Sequence, residues 1–137
     1  MMKKKSVAIL IPTRNRSQFI KGLLNYYEQI GSHHPLYIGD CSDLEHFNAI
    51  RSSVDSLNEK VNVNLKHFPQ YTRGIIDTCI VIQNLLNFVK EDFAVFAGDD
   101  DYFIPKSLDK CVEFLENNNE FTSVHGYGTF LIYHEKN

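Results

Sequence analysis

Asp99, Asp100 and Asp101 follow directly on the apolar run Phe93-Ala94-Val95-Phe96-Ala97 and its terminating Gly98, so a buried strand is expected to deliver three carboxylates into a loop. Adjacent unit charges about 5 Å apart repel by roughly 3 kcal/mol at an effective dielectric of about 20, and a bound divalent cation turns that repulsion into attraction. The chemistry this pattern offers is therefore metal binding through hard oxygen ligands. The alternative is a solvated acidic turn.

The elements that must position these acids can be read from hydrophobic periodicity. Val7-Ala8-Ile9-Leu10-Ile11 is a continuous apolar run of strand length ended by Pro12, as expected of a central strand buried on both faces. Phe19, Ile20, Leu23, Leu24, Tyr27 and Ile30 then recur at helical spacing, with Ser17 placed to cap the helix and Gly31 to stop it. Leu36 to Gly39 reads as a short strand, and Leu44, Phe47, Ile50, Val54 and Leu57 mark a second helix. Val61 to Phe68 is expected as a third strand, Gly74 to Val89 as an apolar helix and Phe93 to Ala97 as a fourth strand. A helix over Pro105 to Glu116 follows, opened by its proline, and Phe121 to Tyr133 reads as one or two final strands.

Alternation of this kind predicts an α/β fold, a mainly parallel sheet with helices on both faces, built from right-handed crossovers. In such sheets ligands bind beyond the carboxyl ends of the strands. Those ends are the loops Pro12 to Arg16, Asp40 to Asp43, Pro69 to Arg73 and Gly98 to Tyr102, which hold most of the chemically capable side chains.

The chain has 137 residues, 43% of them apolar, 23% charged and 10 of them phenylalanine, which fits one folded domain able to bury a core without disulfides. A net charge of −3 gives no general field for a nucleic-acid backbone, so no nucleic-acid partner is expected; Lys3-Lys4-Lys5 reads as a solvated terminal exception. No stretch reaches membrane-spanning length, and the apolar run after the lysines is too short for a signal peptide. Cys41, Cys79 and Cys111 are odd in number and widely spaced, which fits a reducing cytoplasm, with peripheral membrane association as an alternative location. Cys79 and Cys111 fall on predicted apolar helix faces and are expected to be packed, with Cys41 more exposed in its loop. The six histidines, His33, His34, His46, His67, His125 and His134, show no i, i+4 metal pair and read as exposed or structural. Neither a P-loop nor a G-x-G-x-x-G fingerprint is present, and the first strand ends in basic residues, unlike that of a phosphoacceptor receiver domain.

The segments "IPTRNR", "GDCSD" and "FAGDDDYFIPKSL" together resemble the nucleotide-sugar glycosyltransferases of the GT-A fold, specifically the large inverting family 2. The resemblance implies a Rossmann-like nucleotide-binding half of a GT-A fold across residues 1–137, ending before the acceptor-binding part. It implies Mg2+ or Mn2+ as cofactor, which suits carboxylate ligands, and a UDP- or TDP-sugar as donor. Asp100 is the best metal ligand by alignment to the proline at Pro105; Asp99 lies nearest the ribose or shares the metal, and Asp101 binds the metal or orients the sugar. Reading Asp99 and Asp101 as a plain D-x-D pair is equally permitted. Pro12, Thr13 and Arg14 map to the loop around the base and ribose, with Asn15 and Arg16 at its edge, although Asn15 to Ser17 also suit a turn and cap. Asp40 and Asp43 resemble the family's acidic "DDGS" loop, with Cys41 and no glycine there; either aspartate also suits a helix cap before Leu44. Arg73 sits where a basic residue approaches the base or diphosphate.

The general base that an inverting transfer needs lies, in that family, after the metal-binding loop, and here only Glu135 follows Phe121. The catalytic residue is therefore unassigned. The runner-up reading is a catalytically inactive nucleotide-binding or protein-interaction domain derived from the same fold. If "TSVHGYGTFLIYH" lacks a cover, self-association through this region into a homo-oligomer is the expected remedy.

Overall fold

The computed structural model describes residues 5–59 and 61–130. Four strands, β1 (Val7–Thr13), β2 (Leu36–Asp40), β3 (Val63–His67) and β4 (Phe93–Phe96), alternate with four helices, α1 (Ser17–Ile30), α2 (Leu44–Asp55), α3 (Ile75–Leu86) and α4 (Pro105–Asn117). All strand pairs are parallel and the sheet order is β3-β2-β1-β4. This is an α/β, Rossmann-like arrangement, as the alternation of apolar runs predicts.

β1 is apolar on both faces because both are covered. Val7, Ile9 and Ile11, with Leu36 and Ile38 of β2, pack in one core with Ile20, Leu23, Leu24 and Tyr27 of α1, Ile50 of α2, and Leu108 and Val112 of α4. On the opposite face Ala8, Leu10 and Tyr37 meet Val81 and Leu85 of α3. Three helices thus cover one face and a single helix the other. α3 can lie this close only because β2 carries Gly39: a Cβ there would meet Val81 Cγ1 at 2.4 Å and Leu85 Cδ1 at 3.1 Å.

Local signals act as expected at several ends. Gly31 stops α1 in the left-handed conformation (φ 61°), its N–H donating to Glu28 O at 3.2 Å. Pro105 opens α4. Asp43 caps α2, its Oδ1 accepting the His46 N–H at 3.4 Å.

Three expectations are corrected. Ser17 does not cap α1; Arg16 holds the cap position, and the Ser17 hydroxyl instead meets His46 Nδ1 at 2.8 Å, tying α1 to α2. The cysteines reverse: Cys41 is buried and its thiol is pushed up to about 11, first by burial, whereas Cys79 is exposed and Cys111 intermediate. α3 buries the stripe Asp77, Val81 and Leu85, which turns Cys79 outward. Finally, no strand forms among the described residues 121–130, which are exposed throughout. Gly126 and Gly128 remove two side chains in close succession, weakening any strand there. Residues 131–133, His134, Glu135, Lys3 and Lys4 lie outside the described residues.

Among the described residues β4 pairs only with β1, and its other edge has no strand beside it. Phe96 is 53% exposed there. No described helix is long and apolar enough to cross a membrane.

Candidate functional site

From β1 the chain builds outward through β2 and β3 on one side and places β4 on the other, so the sheet changes direction between β1 and β4. Crevices form beyond the carboxyl ends of strands at such a point, because the flanking loops leave in opposite directions. A cavity of about 300 Å3 lies there, lined by Pro12 and Thr13 at the end of β1 and Arg14 and Arg16 just after it, and by Gly98 and Asp99 after β4. Cys41 and the first turns of α3 complete its wall.

The three aspartates differ sharply in setting. Asp99 is buried (7% exposed) and both its oxygens are engaged: Thr13 Oγ1 donates to Oδ2 at 2.7 Å, and Arg16 Nε lies 2.9 Å from Oδ1. That Nε–H is not aligned for a hydrogen bond, so the second contact is one of charge. Asp100 is exposed, and its Oδ2 accepts from Arg16 Nη2 at 2.9 Å. Asp101 Oδ2 accepts the Gly98 N–H at 3.2 Å, closing the turn back on itself. One guanidinium therefore bridges two acids of the triplet. Its plane also rests over the Phe19 ring, 3.9 Å from the centroid.

The other residues singled out from sequence fall into two groups. Pro12, Thr13 and Arg14 line the cleft, and Arg14 Nη1 is tied to Thr72 O at 3.0 Å, joining the β1 loop to the loop before α3. Asp40, Asp43 and Arg73 are not among the lining residues. Asp40 is fully buried; its Oδ1 accepts from the Ser42 hydroxyl and N–H, His67 Nε2 stands 3.9 Å from Oδ2, and burial raises its carboxyl above the ordinary range. Asp43 donates its N–H to Asn15 Oδ1 at 3.1 Å, and Ser42 Oγ accepts the Asn15 N–H at 2.7 Å, so this loop buttresses the β1 loop. Asn15 there adopts φ 53°, a left-handed turn that asparagine tolerates. Arg73 points outward with its side chain 68% exposed.

Sequence reasoning passed over Asp77, which lines the cleft from the first turn of α3. Arg73 Nη2 and Nε lie 2.9 and 3.1 Å from its Oδ1, and the Arg73 N–H donates to Oδ2 at 2.6 Å. The guanidinium holds the Asp77 carboxyl below the ordinary carboxylate range, with the backbone N–H adding to the effect. The signal present in the sequence was an acid four residues after an arginine at the start of a helix.

A second cluster lies at the other end of the sheet. Among the described residues, His33, His34 and Asp109 are the one group of three whose potential ligand atoms come within 4.8 Å of one another. His34 is fully buried just before β2; its Nδ1 accepts the Val7 N–H at 3.0 Å, which leaves the proton of the neutral ring on Nε2, facing Pro105 O at 3.2 Å and Asp109 Oδ1 at 3.4 Å. A metal bound at Nε2 would have to displace that proton. The ring acts instead as a strut joining β1 to α4.

The geometry of the aspartate triplet bears on cation binding. A Cβ built on Gly98 would meet Asp101 Oδ2 at 2.8 Å and Asp100 Oδ1 at 3.1 Å, so two carboxylate oxygens converge over the space this glycine leaves open. Hard oxygens in a pair, open to solvent on one side, fit a cation that keeps several waters and takes phosphate oxygens. Both oxygens of Asp99 are already engaged by Thr13 and Arg16.

No protein-family model matches the sequence, and no curated protein matches it. A solved structure with a similar fold is the mannosyltransferase PcManGT from Pyrobaculum calidifontis in complex with GDP-Man and Mn2+, with a TM-score of 0.64 and 16% identity. The match covers 83% of this chain and 33% of that one, so this chain spans about a third of that protein's length. The likeness establishes a glycosyltransferase-like fold.

Proposed function

We propose that this protein binds a nucleotide-diphosphate sugar in the cleft between β1 and β4, as the donor site of a family 2, GT-A-type glycosyltransferase. The observation that carries the proposal is the junction of an acidic loop with a cavity at the point where the sheet changes direction. Mg2+ or Mn2+ at Asp100 and Asp101 would stabilise the charge that develops on a departing nucleoside diphosphate. Pro12, Thr13 and Arg14 flank the space for the nucleoside, and Thr13 fixes the rotamer of Asp99 so that the acid loop keeps its shape. Asp40 and Asp43 act behind them, holding the loop that supports Asn15. The nucleotide set to consider is UDP, TDP and, from the complex of the structural neighbour, GDP. No general base is assigned.

Thermal unfolding with each nucleotide, with and without Mn2+, tests this reading. Saturation at a hundred times the dissociation constant stabilises by about 2.7 kcal/mol, several degrees in the midpoint. The expected outcome is a shift that needs nucleotide and Mn2+ together and disappears in Asp100→Ala. No shift with any nucleotide would refute it.

A second reading has its own observation. α3 exposes Ile75, Ile76 and Leu86, β4 exposes Phe96, and Phe121, Tyr127 and Phe130 are exposed as well. Apolar surface of this kind marks an interaction face, and a homo-oligomer or interaction domain is the reading it favours. A monomer at every concentration in light scattering would remove it.

A further inference from the structure

Arg16 stands between the acid loop and the cleft. It contacts Asp99 Oδ1 and Asp100 Oδ2, each at 2.9 Å, lies against the Phe19 ring, and lines the cavity. Asp100 is the acid shared between two claims: its Oδ2 faces the guanidinium while its Oδ1 faces the space over Gly98. A divalent cation drawing on Asp100 and Asp101 therefore competes with Arg16 for the charge of Asp100.

We infer that Arg16 is the resident counter-cation of this loop, and that it makes binding of a divalent cation depend on a diphosphate being present. The inference rests on the donor-site reading above and adds regulation of that site. Without ligand the single positive charge of the guanidinium lies between two of the three adjacent acids and offsets part of their mutual repulsion. A metal ion arriving alone weakens that ion pair and leaves a guanidinium beside a new positive charge, so it binds poorly. A diphosphate in the cleft reverses this, because the released fork of N–H donors matches phosphate oxygens as well as it matches carboxylates. Metal and diphosphate each make room for the other, and by linkage each raises the other's affinity by the same factor. Arg16 is thus a positioning residue: it acts on ligand binding through Asp99 and Asp100 before it touches a ligand.

The test is Mn2+ binding, read from the electron paramagnetic resonance signal of free Mn2+, with and without GDP, in the wild-type protein, Arg16→Gln and Arg16→Lys. Far-UV circular dichroism and the thermal midpoint establish that each is folded. Arg16→Gln should bind Mn2+ alone about tenfold more tightly than wild type, and the factor by which GDP enhances Mn2+ binding should fall by at least about fivefold. Arg16→Lys keeps the charge but cannot bridge both acids, and should lie between the two. Unchanged or weaker Mn2+ binding in Arg16→Gln, or an unchanged GDP enhancement in both variants, overturns the inference while leaving the donor site standing. If Mn2+ binds to none of the three proteins at any GDP concentration, the metal reading and the inference fall together. Should Arg16→Gln fail to fold, Arg16→Lys decides the matter: wild-type values for both quantities overturn the inference.

Discussion

Each end of the parallel sheet carries a cluster centred on an aspartate. At the amino ends of β1 and β2, Asp109 meets the rings of His33 and His34; at the carboxyl ends of β1 and β4, Asp99 meets Thr13 and Arg16. By ligand chemistry alone the first is the better candidate metal site, since it brings three donor residues within 4.8 Å. The hydrogen bond from Val7 to His34 Nδ1 decides otherwise, because it spends the lone pair that would define a second ligand and directs the remaining proton inward. At the carboxyl end the acids are held by a guanidinium and open onto a cavity. A cluster's function follows from what its atoms already do as much as from which atoms are present.

The largest expected effect that would sharpen this contrast comes from the amino end. His34→Ala strands the buried Val7 N–H and leaves a cavity between β1 and α4, and should lower the unfolding free energy by about 3 kcal/mol in denaturant titration. Any midpoint shift given by nucleotide with Mn2+ should persist; its loss would mean that the two ends are not separable. Asp99→Asn reverses the pattern. It keeps an acceptor for Thr13 but loses the charge that holds Arg16, so stability should fall by no more than about 1 kcal/mol while the nucleotide-dependent shift is lost. A large stability loss with intact binding would place Asp99 with the struts.

The smallest effect is in pH dependence, where Asp77 and Asp40 should act with opposite sign. The Asp77 carboxyl is held low by Arg73, so its contribution is present above the ordinary carboxylate range and is lost as the pH falls through its depressed native value. The Asp40 carboxyl is raised by burial, so its penalty is present above its raised native value and is relieved as the pH falls through it. Midpoints measured from neutral pH into acid should therefore fall less steeply for Asp77→Asn than for wild type, and more steeply for Asp40→Asn. Parallel curves would contradict both assignments.

The eight elements were legible because each is a local statement: an unbroken apolar run, a helical period, a glycine or proline at an end. The loops of the site were legible from topology, since alternation alone puts Thr13 and Asp99 at the same edge of the sheet. Division of labour among Asp99, Asp100 and Asp101 was not, because it depends on Arg16, 83 residues before Asp99 in the chain, arriving from the far side of the cleft. The cysteines were misjudged for a related reason. α3 is apolar nearly all round, so its period does not say which stripe faces the sheet; the Val81 and Leu85 contacts over Gly39 do. Over the described residues 121–130 the expected last strand does not form, and Gly126 and Gly128 are the local signal that its apolar residues outweighed in the sequence reading.

β1 has a strand on each side and β4 has one, so the frontier of the sheet runs along the cleft. Its last rung is the Ala97 N–H on Leu10 O at 2.9 Å, after which Gly98 turns to Asp101. In hydrogen exchange this becomes a clock read along the chain: amides of β1 should outlast all others, Ala97 should exchange ahead of them, and the turn from Gly98 onward should exchange first. The wall of the cleft built on β1 is thus expected to yield its amides only with global unfolding, and the wall bearing the aspartates ahead of it.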